Sequence, residues 1–356
     1  MLSLTGGLIG TIVGTAAGTR FETHSHAMQT LLDHKLLVIT GKGGVGKTTI
    51  AAAVGLLAAR SGRRAIVVEL GRESRLPGMF GVTPSQPGVP TKLQDGLSSI
   101  SIDPDRALLE WLQVLGGRVS GRVLASSGTF QYFAAAAPGA KELVTMVKIW
   151  QLTRRAGRGA RAGVHDLVVL DAPATGHALG LLGSPQTFGA IARVGPIAGQ
   201  TRQVRELLES PSQTGYLAVA LGTEMAVTEA LELQEGLQRQ LGRELAAVVV
   251  NALLPRRFTA AELERIESLN GDVSPGGGPH RGAPRAPSAG ETVRRSVIEA
   301  AVRTARTVHE RSRFQHNQLA RLRRRSFEVI AIPYMWGGQL DLAAVSAIAK
   351  RLEHAL

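Results

Sequence analysis

The chain has 356 residues, 44% hydrophobic but only 4% aromatic, so it is long enough for one large α/β domain with an aliphatic core or for two smaller ones. No stretch approaches the roughly 18–20 consecutive apolar residues that a membrane-spanning helix needs. The absence of cysteine excludes disulfides, thiolate metal sites and cysteine nucleophiles. It also suits a reducing compartment, and we expect a cytoplasmic protein.

The net charge of +13 is concentrated in one segment. Twelve arginines and three glutamates lie between Arg281 and Arg325, which accounts for nine of the thirteen excess positive charges. Such a segment is either a solvated helix face or a surface for an anionic partner. Because the excess is local, nucleic acid stays an alternative that the composition does not favour.

Residues 1–27 contain an apolar, glycine-rich run that no positive residue precedes. This pattern favours a disordered leader or an over-extended start over a secretory signal. Residues 28–356 are then predicted to form a single domain.

The first predicted strand, Leu36–Thr40, leads into a glycine-rich loop and then an alanine-rich helix. In this order the glycines let backbone N–H groups surround phosphate oxygens, and the helix directs its positive N-terminus at them. Lys47 is expected to reach the β- and γ-phosphates of a nucleotide, and Thr48 to ligate Mg²⁺. The predicted phosphate-binding residues are Gly41, Gly43, Gly44, Val45, Gly46, Lys47, Thr48 and Thr49.

Two further strands are predicted at 64–69 and 97–102. The segment Gly71–Gly78 follows the first of them, at the edge where open α/β sheets bind ligands. From about residue 103 to 160 the pattern is helical, which predicts a helical subdomain inserted between strands. Its residues Phe133, Met146 and Trp150 are either ordinary core or the lining of an apolar groove for a client.

A buried strand, Leu167–Asp171, ends in an acid that would face the phosphate loop and hold Mg²⁺, usually through water. Gly176, shortly after it, is expected to offer a backbone N–H to the γ-phosphate. Strands at 216–221 and 245–250 follow, and Asn251 ends the second.

The C-terminal third is predicted to contain a disordered loop at about 268–290, a long basic helix at about 291–325 and a last strand at 327–332 before Pro333. The final helix, 341–356, carries Leu342, Val345, Ile348 and Leu352 on one face, which suits core packing better than membrane targeting. The alternation of elements predicts an α/β fold, a doubly wound and mostly parallel sheet with the inserted helical subdomain.

The loop carries a second lysine, Lys42, directly after its first glycine. This pattern resembles the deviant Walker A motif of dimeric P-loop NTPases. Four further stretches are similar to segments of ArsA-type ATPases. Asp171–Leu179, Asn251–Pro255 and Ile332–Tyr334 resemble the switch II, adenine-reading and base-closing segments, and Glu224–Glu229 resembles the stretch after the family's next core strand. Over about 28–356 the chain therefore resembles that family.

The resemblance implies an ATP- and Mg²⁺-dependent dimer, formed with itself or with a paralogue, that acts on an apolar client or a membrane-associated partner. Lys42 would contact the γ-phosphate across the dimer, and Thr49 an α-phosphate oxygen. Asn251 would read adenine, and the loop at Pro333 would close over the base. Without cysteine, the family's zinc clasp and thiolate metalloid site are absent, which disfavours arsenite pumping.

The position of the family's water-positioning aspartate is occupied by Gly71, and Glu69 and Glu73 are the nearest acids. We therefore expect hydrolysis that is slow or that uses one of these two acids. A non-catalytic subunit paired with an active paralogue is one alternative, and a ParA- or MinD-like positioning protein is another. For His177 a structural role in ordering the switch is favoured over a role as general base.

Overall fold

The computed structural model describes residues 31–115, 139–154, 165–191, 196–271, 289–336 and 340–354. Its centre is an eight-stranded sheet in the order β3-β4-β2-β5-β1-β6-β7-β8, in which only the edge strand β3 is antiparallel to its neighbour. The strands are β1 (Leu36–Gly41), β2 (Ala65–Leu70), β3 (Thr91–Gln94), β4 (Leu97–Ile102), β5 (Leu167–Asp171), β6 (Thr214–Leu221), β7 (Ala247–Leu253) and β8 (Glu328–Pro333). This is the doubly wound α/β fold that the sequence predicts.

Ten helices within the described ranges surround the sheet. They are α1 (Lys47–Arg60), α2 (Leu76–Met79), α3 (Pro104–Leu115), α4 (Ala140–Thr153), α5 (Thr175–Ile191), α6 (Pro196–Glu209), α7 (Glu224–Leu241), α8 (Ala260–Gly271), α9 (Ala289–Leu322) and α10 (Leu342–His354). None of these described helices is both long and apolar enough to cross a membrane.

Helix α1 is enclosed on all sides. Ten consecutive residues, Thr49 to Ala58, are buried, because the sheet covers one side of the helix and α10 packs along the other. Small side chains permit this close approach: a Cβ at Gly55 would lie 2.7 Å from Val67 Cγ2. The alanine-rich sequence after the phosphate loop is therefore the sequence of a central helix rather than an amphipathic one.

Helix α10 packs as predicted. Val345, Ile348 and Leu352 are at most 2% exposed, whereas Leu342 is 41% exposed at the start of the helix. In α4, Met146 is completely buried, so it belongs to the core rather than to an open groove. Trp150 is half-buried and lies under the guanidinium of Arg154, with 4.7 Å from Cζ to the ring centroid.

Several boundaries differ from the sequence-based prediction. Strand β7 continues through Asn251 to Leu253, with a register shift against β8, and Ala252 adopts a left-handed conformation (φ 53°). Helix α8 extends to Gly271, into the stretch expected to be a loop, and the basic helix α9 spans Ala289–Leu322. Residues 1–30, Phe133 and 272–288, on which other predictions rest, lie outside the described residues.

Candidate functional site

The loop between β1 and α1 requires glycine at two positions, for different reasons. Gly41 has φ +147°, and a Cβ there would lie 2.0 Å from the carbonyl oxygen of Val219 on the neighbouring strand β6, so the close backbone approach excludes a side chain. Gly46 has φ +95°, a backbone conformation that favours glycine, and its Cβ would lie 2.5 Å from Asn251 Nδ2, the end of a side chain.

Lys47, the first residue of α1, turns back over this loop. Its ammonium group donates hydrogen bonds to the carbonyl oxygens of Gly41 (3.2 Å) and Lys42 (3.1 Å). Burial lowers the pKa of Lys47, while the carboxylates of Asp171 and Glu229 act in the opposite direction. A partly desolvated cation thus lies over the loop, where it would meet an anionic ligand.

Thr48 and Asp171 form a close polar pair beside Lys47. The Thr48 hydroxyl donates to Asp171 Oδ2 at 2.5 Å, because β5 lies next to β1 and places Asp171 opposite Ile39. The other carboxylate oxygen, Oδ1, is buried without a hydrogen-bond partner in the described structure. Burial raises the pKa of Asp171 to about 6, the nearby carboxylate of Glu69 adds to the rise, and the Thr48 hydrogen bond and Lys47 oppose it.

This donor set fits Mg²⁺. A hydroxyl and an unsatisfied carboxylate oxygen are hard oxygen ligands, and Mg²⁺ usually takes one or two protein ligands and completes its shell with water and phosphate. Within the described ranges no cluster of three or more histidines, aspartates or glutamates could hold a metal ion by itself. A metal here would therefore depend on a phosphate ligand for further oxygens.

The segment after β2 forms the opposite wall of a cavity of about 510 Å³ that also contains Lys47, Thr48 and Asp171. Gly71 lies in this wall with φ +137°, a backbone conformation that an aspartate would adopt only with strain. Glu73 is exposed at the cavity. Of the two predicted acids, it is therefore the one whose carboxylate faces open space.

Glu69 is only 5% exposed, and its carboxylate is occupied. It accepts hydrogen bonds from the Ser74 hydroxyl, from Arg75 N at 2.8 Å and from Leu76 N at 3.4 Å. These contacts tie the segment after β2 and the start of α2 to the sheet. The carboxylate thus orders the cavity wall, which it also lines, and most of its acceptor sites are used within the chain.

Lys42, predicted to act across a dimer, contacts a residue of its own chain. Its ammonium group forms an ion pair with the carboxylate of Glu229, on α7. The sequence contains Glu229 in a stretch that resembles the family, yet no pattern assigns it this role. Only the adjacency of β1 and β6 brings the start of α7 beside the phosphate loop.

Asn251, the predicted adenine reader, also contacts the loop. Its Nδ2 donates to the carbonyl oxygen of Val45 at 2.9 Å, and its Oδ1 accepts from Ala252 N at 2.9 Å. Pro333 ends β8 next to Leu253, so both predicted base-binding segments lie at the same edge of the sheet.

Gly176 lies in the first turn of α5, where backbone N–H groups have no intrahelical acceptor. His177 lines a different cavity of about 480 Å³, formed with residues of α3 and α4. This cavity adjoins the one that contains Lys47, Thr48 and Asp171, since Leu70, Gly71 and Pro173 line both. His177 itself lines only the second of the two, and its structural role stays a prediction.

Comparisons with known proteins identify relatives of this chain. A sequence model of the family described as anion-transporting ATPases matches residues 34–194, which include the phosphate loop and Asp171. ATPase BagA of Mycobacterium tuberculosis (strain H37Rv) is 31% identical over 238 residues, covering 65% of this chain and 68% of that protein. A Halobacterium salinarum protein named "Putative arsenical pump-driving ATPase" is 28% identical over 245 residues, covering 63% of this chain and 36% of its own length. The chain therefore belongs to the ArsA-type family of anion-transporting ATPases.

Proposed function

We propose that the chain binds ATP together with Mg²⁺ and hydrolyses it as a dimeric molecular switch. The observation that carries this proposal is the convergence of Lys47, Thr48 and Asp171 on one cavity beside a glycine-rich loop. Membership in an ATPase family supports the same conclusion.

Each residue has a role that its contacts permit. Lys47 would exchange its bonds to loop carbonyls for bonds to the β- and γ-phosphates, and Thr49 would contact the α-phosphate. Thr48 and Asp171 would hold Mg²⁺, which when bound neutralises phosphate charge and polarises the phosphoryl oxygens. The first turn of α5, with Gly176, would supply backbone donors from the side of Asp171.

The dimer is the part of the proposal that depends on Lys42. The side chains of Lys42 and Glu229 are 33% and 27% exposed, so solvent reaches the pair and weakens it. Lys42 can then exchange Glu229 for the γ-phosphate bound to a facing subunit, which is either a second copy or a paralogue. In this reading Glu229 holds Lys42 in the unassembled subunit.

A chain of ion pairs supports coupling between the nucleotide cavity and helices α3 and α4. Arg72, which lines the cavity, contacts Asp103 (3.0 Å) before α3 and Asp105 (3.7 Å) in α3, and Asp105 also contacts Lys141 (2.6 Å) in α4. A change in the segment after β2 would therefore alter the ion pairs that link it to both helices. We propose that these helices transmit the nucleotide state to an apolar client or a membrane-associated partner.

The test of nucleotide binding is the Lys47→Ala variant. Loss of its ammonium group should weaken binding of a fluorescent ATP analogue at least tenfold, because a charge-assisted contact to phosphate is lost. Lys92→Ala is the matched control, since Lys92 lies on the β3–β4 hairpin with its side chain 72% exposed. Equal affinities of the two variants would contradict the proposal.

A non-catalytic ATP-binding subunit is the second candidate, and the cavity wall favours it. Gly71 offers no side chain to position a water molecule, and the carboxylate of Glu69 is engaged by three donors. Phosphate release from Mg²⁺–ATP in a single-turnover experiment separates the two functions. Turnover by the purified chain alone supports the enzyme, whereas ATP binding without turnover supports the scaffold.

A further inference from the structure

A second polar cavity lies away from the phosphate loop, between the loop after β7 and helix α9. Its volume is about 450 Å³, within the range of about 300–1,000 Å³ that is typical of small-molecule sites. It shares no lining residue with the cavity around Lys47. The residues that line it are Arg256, Arg257, Phe258, Thr259, Glu262, His309, Ser312, Arg313 and Asn317.

The charge of this cavity is strongly positive. Arg256, Arg257 and Arg313 form no ion pair within the described parts of the chain, whereas many other arginines do. The single carboxylate, Glu262, accepts hydrogen bonds from Thr259 N (2.8 Å) and Thr259 Oγ1 (2.9 Å) in the capping box of α8. Three arginines without an ion pair therefore line one space, and the single carboxylate of its lining already has donors.

The backbone that carries two of these arginines is fixed to α9. The Ser312 hydroxyl, 2% exposed, lies 3.3 Å from the carbonyl oxygen of Leu254 and 3.2 Å from that of Pro255. Gln315 Oε1 accepts from Leu254 N at 2.7 Å. These contacts limit the ordering that a ligand would have to impose on the loop.

His309 and Arg257, two residues of the lining, are each held by a contact within the chain, although Trp336, the partner of Arg257, lies outside the lining. His309 Nδ1 lies 3.1 Å from the carbonyl oxygen of Phe258, and since a carbonyl only accepts, Nδ1 carries the proton. The guanidinium of Arg257 lies over the ring of Trp336, with 5.2 Å from Cζ to the centroid. The planar guanidinium is thereby oriented before any ligand arrives, and its fork of donors matches phosphate oxygens.

We propose that this cavity binds a small phosphate-bearing anion, independently of nucleotide binding at the phosphate loop. A small anion is preferred to a long nucleic acid because these three arginines line a concave space. Of the other arginines on α9, Arg295 pairs with Glu299 (3.2 Å) and Arg306 with Glu267 (2.9 Å). Arg294, Arg303 and Arg311 are exposed and have no ion pair in the described part of the chain, so the experiment must include an oligonucleotide.

Calorimetric titration with inorganic pyrophosphate tests the proposal. The full chain carrying Lys47→Ala serves as the parent, because it removes phosphate binding at the first site. We expect the parent to bind pyrophosphate, and added Arg313→Ala or Arg256→Ala to weaken binding about tenfold or more. Added Arg303→Ala, a change of equal charge at an exposed α9 residue outside the cavity, should leave affinity within about twofold.

Two results would overturn the proposal. One is the absence of pyrophosphate binding in the Lys47→Ala parent. The other is equal weakening by Arg303→Ala and Arg313→Ala, accompanied by tighter binding of a single-stranded oligonucleotide, which would identify a general basic helix surface. Failure of the parent to bind ATP bears only on the function proposed for the first site.

Discussion

Replacing Asp171 with asparagine should stabilise the ligand-free protein at neutral pH. Burial raises the pKa of this carboxyl from its ordinary value of 3.8 to about 6. A rise of that size corresponds to roughly 3 kcal/mol of destabilisation of the charged form, at about 1.4 kcal/mol for each factor of ten in proton affinity. Asparagine keeps the shape and an acceptor for the Thr48 hydroxyl without the buried charge.

The pH dependence follows from the direction of this change. The penalty is fully present above pH 6, where folded Asp171 is charged, and it disappears as the pH falls toward 4 and the folded carboxyl takes up a proton. In urea titrations without nucleotide or Mg²⁺, Asp171→Asn should therefore exceed the native protein by about 1–3 kcal/mol in free energy of unfolding at pH 7. The difference should shrink between pH 6 and pH 4.

A control and a ligand complete the experiment. Asp95→Asn, on an exposed hairpin, should show no such gain, since hydrogen bonding from Lys92 holds the pKa of Asp95 below its usual value. Mg²⁺–ATP should stabilise the native protein more than Asp171→Asn, because the variant lacks the metal-binding charge. If Asp171→Asn and the native protein have the same free energy of unfolding at pH 7, or if their difference grows on acidification, Asp171 is not a desolvated and unsatisfied carboxylate.

Three further predictions concern the loop and the cavity wall. Lys42→Ala should retain ATP binding but reduce ATP-dependent dimerisation in sedimentation experiments, whereas Glu229→Gln should increase dimerisation by freeing Lys42. If neither change affects dimerisation, Lys42 does not exchange Glu229 for a phosphate of the facing subunit. Glu69→Gln should lower the free energy of unfolding by about 1–3 kcal/mol, because three donors lose a charged acceptor. Glu73→Gln, at the exposed position, should change it by less than about 0.5 kcal/mol. Equal effects of the two variants in denaturation experiments would argue against the ordering role of Glu69. Gly71→Asp should cost about 1–3 kcal/mol through backbone strain without raising ATP turnover, and faster phosphate release from this variant would show that the wall accommodates a catalytic acid.

The sequence predicts the sheet well because its central strands are buried on both faces. Runs such as Leu167–Leu170 are uniformly apolar, and such runs are distinctive in a chain whose helices are alanine-rich. Strand β3 was not predicted, since it has four residues, follows a proline- and glycine-rich loop and pairs only at the edge. The end of β7 was placed too early because Asn251 and the left-handed Ala252 resemble a turn locally, although β8 still pairs beyond them.

Part of the candidate site could likewise be predicted from the sequence, and part could not. Lys47, Thr48 and Asp171 follow from local motifs, and the order of neighbouring strands brings them into one cavity. The partner of Lys42 and the orientation of Glu69 could not be predicted. The partner of Lys42 lies on α7, a helix that follows a different strand from the phosphate loop. The orientation of Glu69 depends on which of several nearby donors its buried carboxylate contacts.

The enclosure of α1 also affects how the molecule can respond to a ligand. A helix with ten consecutive buried residues cannot shift without disturbing the sheet on one side and α10 on the other. The phosphate loop is joined to this immobile helix, so little binding free energy is spent on ordering the loop. If nucleotide binds as proposed, we expect any conformational change to arise in the segments that face α1 across the cavity, beginning with Gly71 and Arg72. Lys47 would then belong to the half of the site that stays fixed, and the response to the half opposite it.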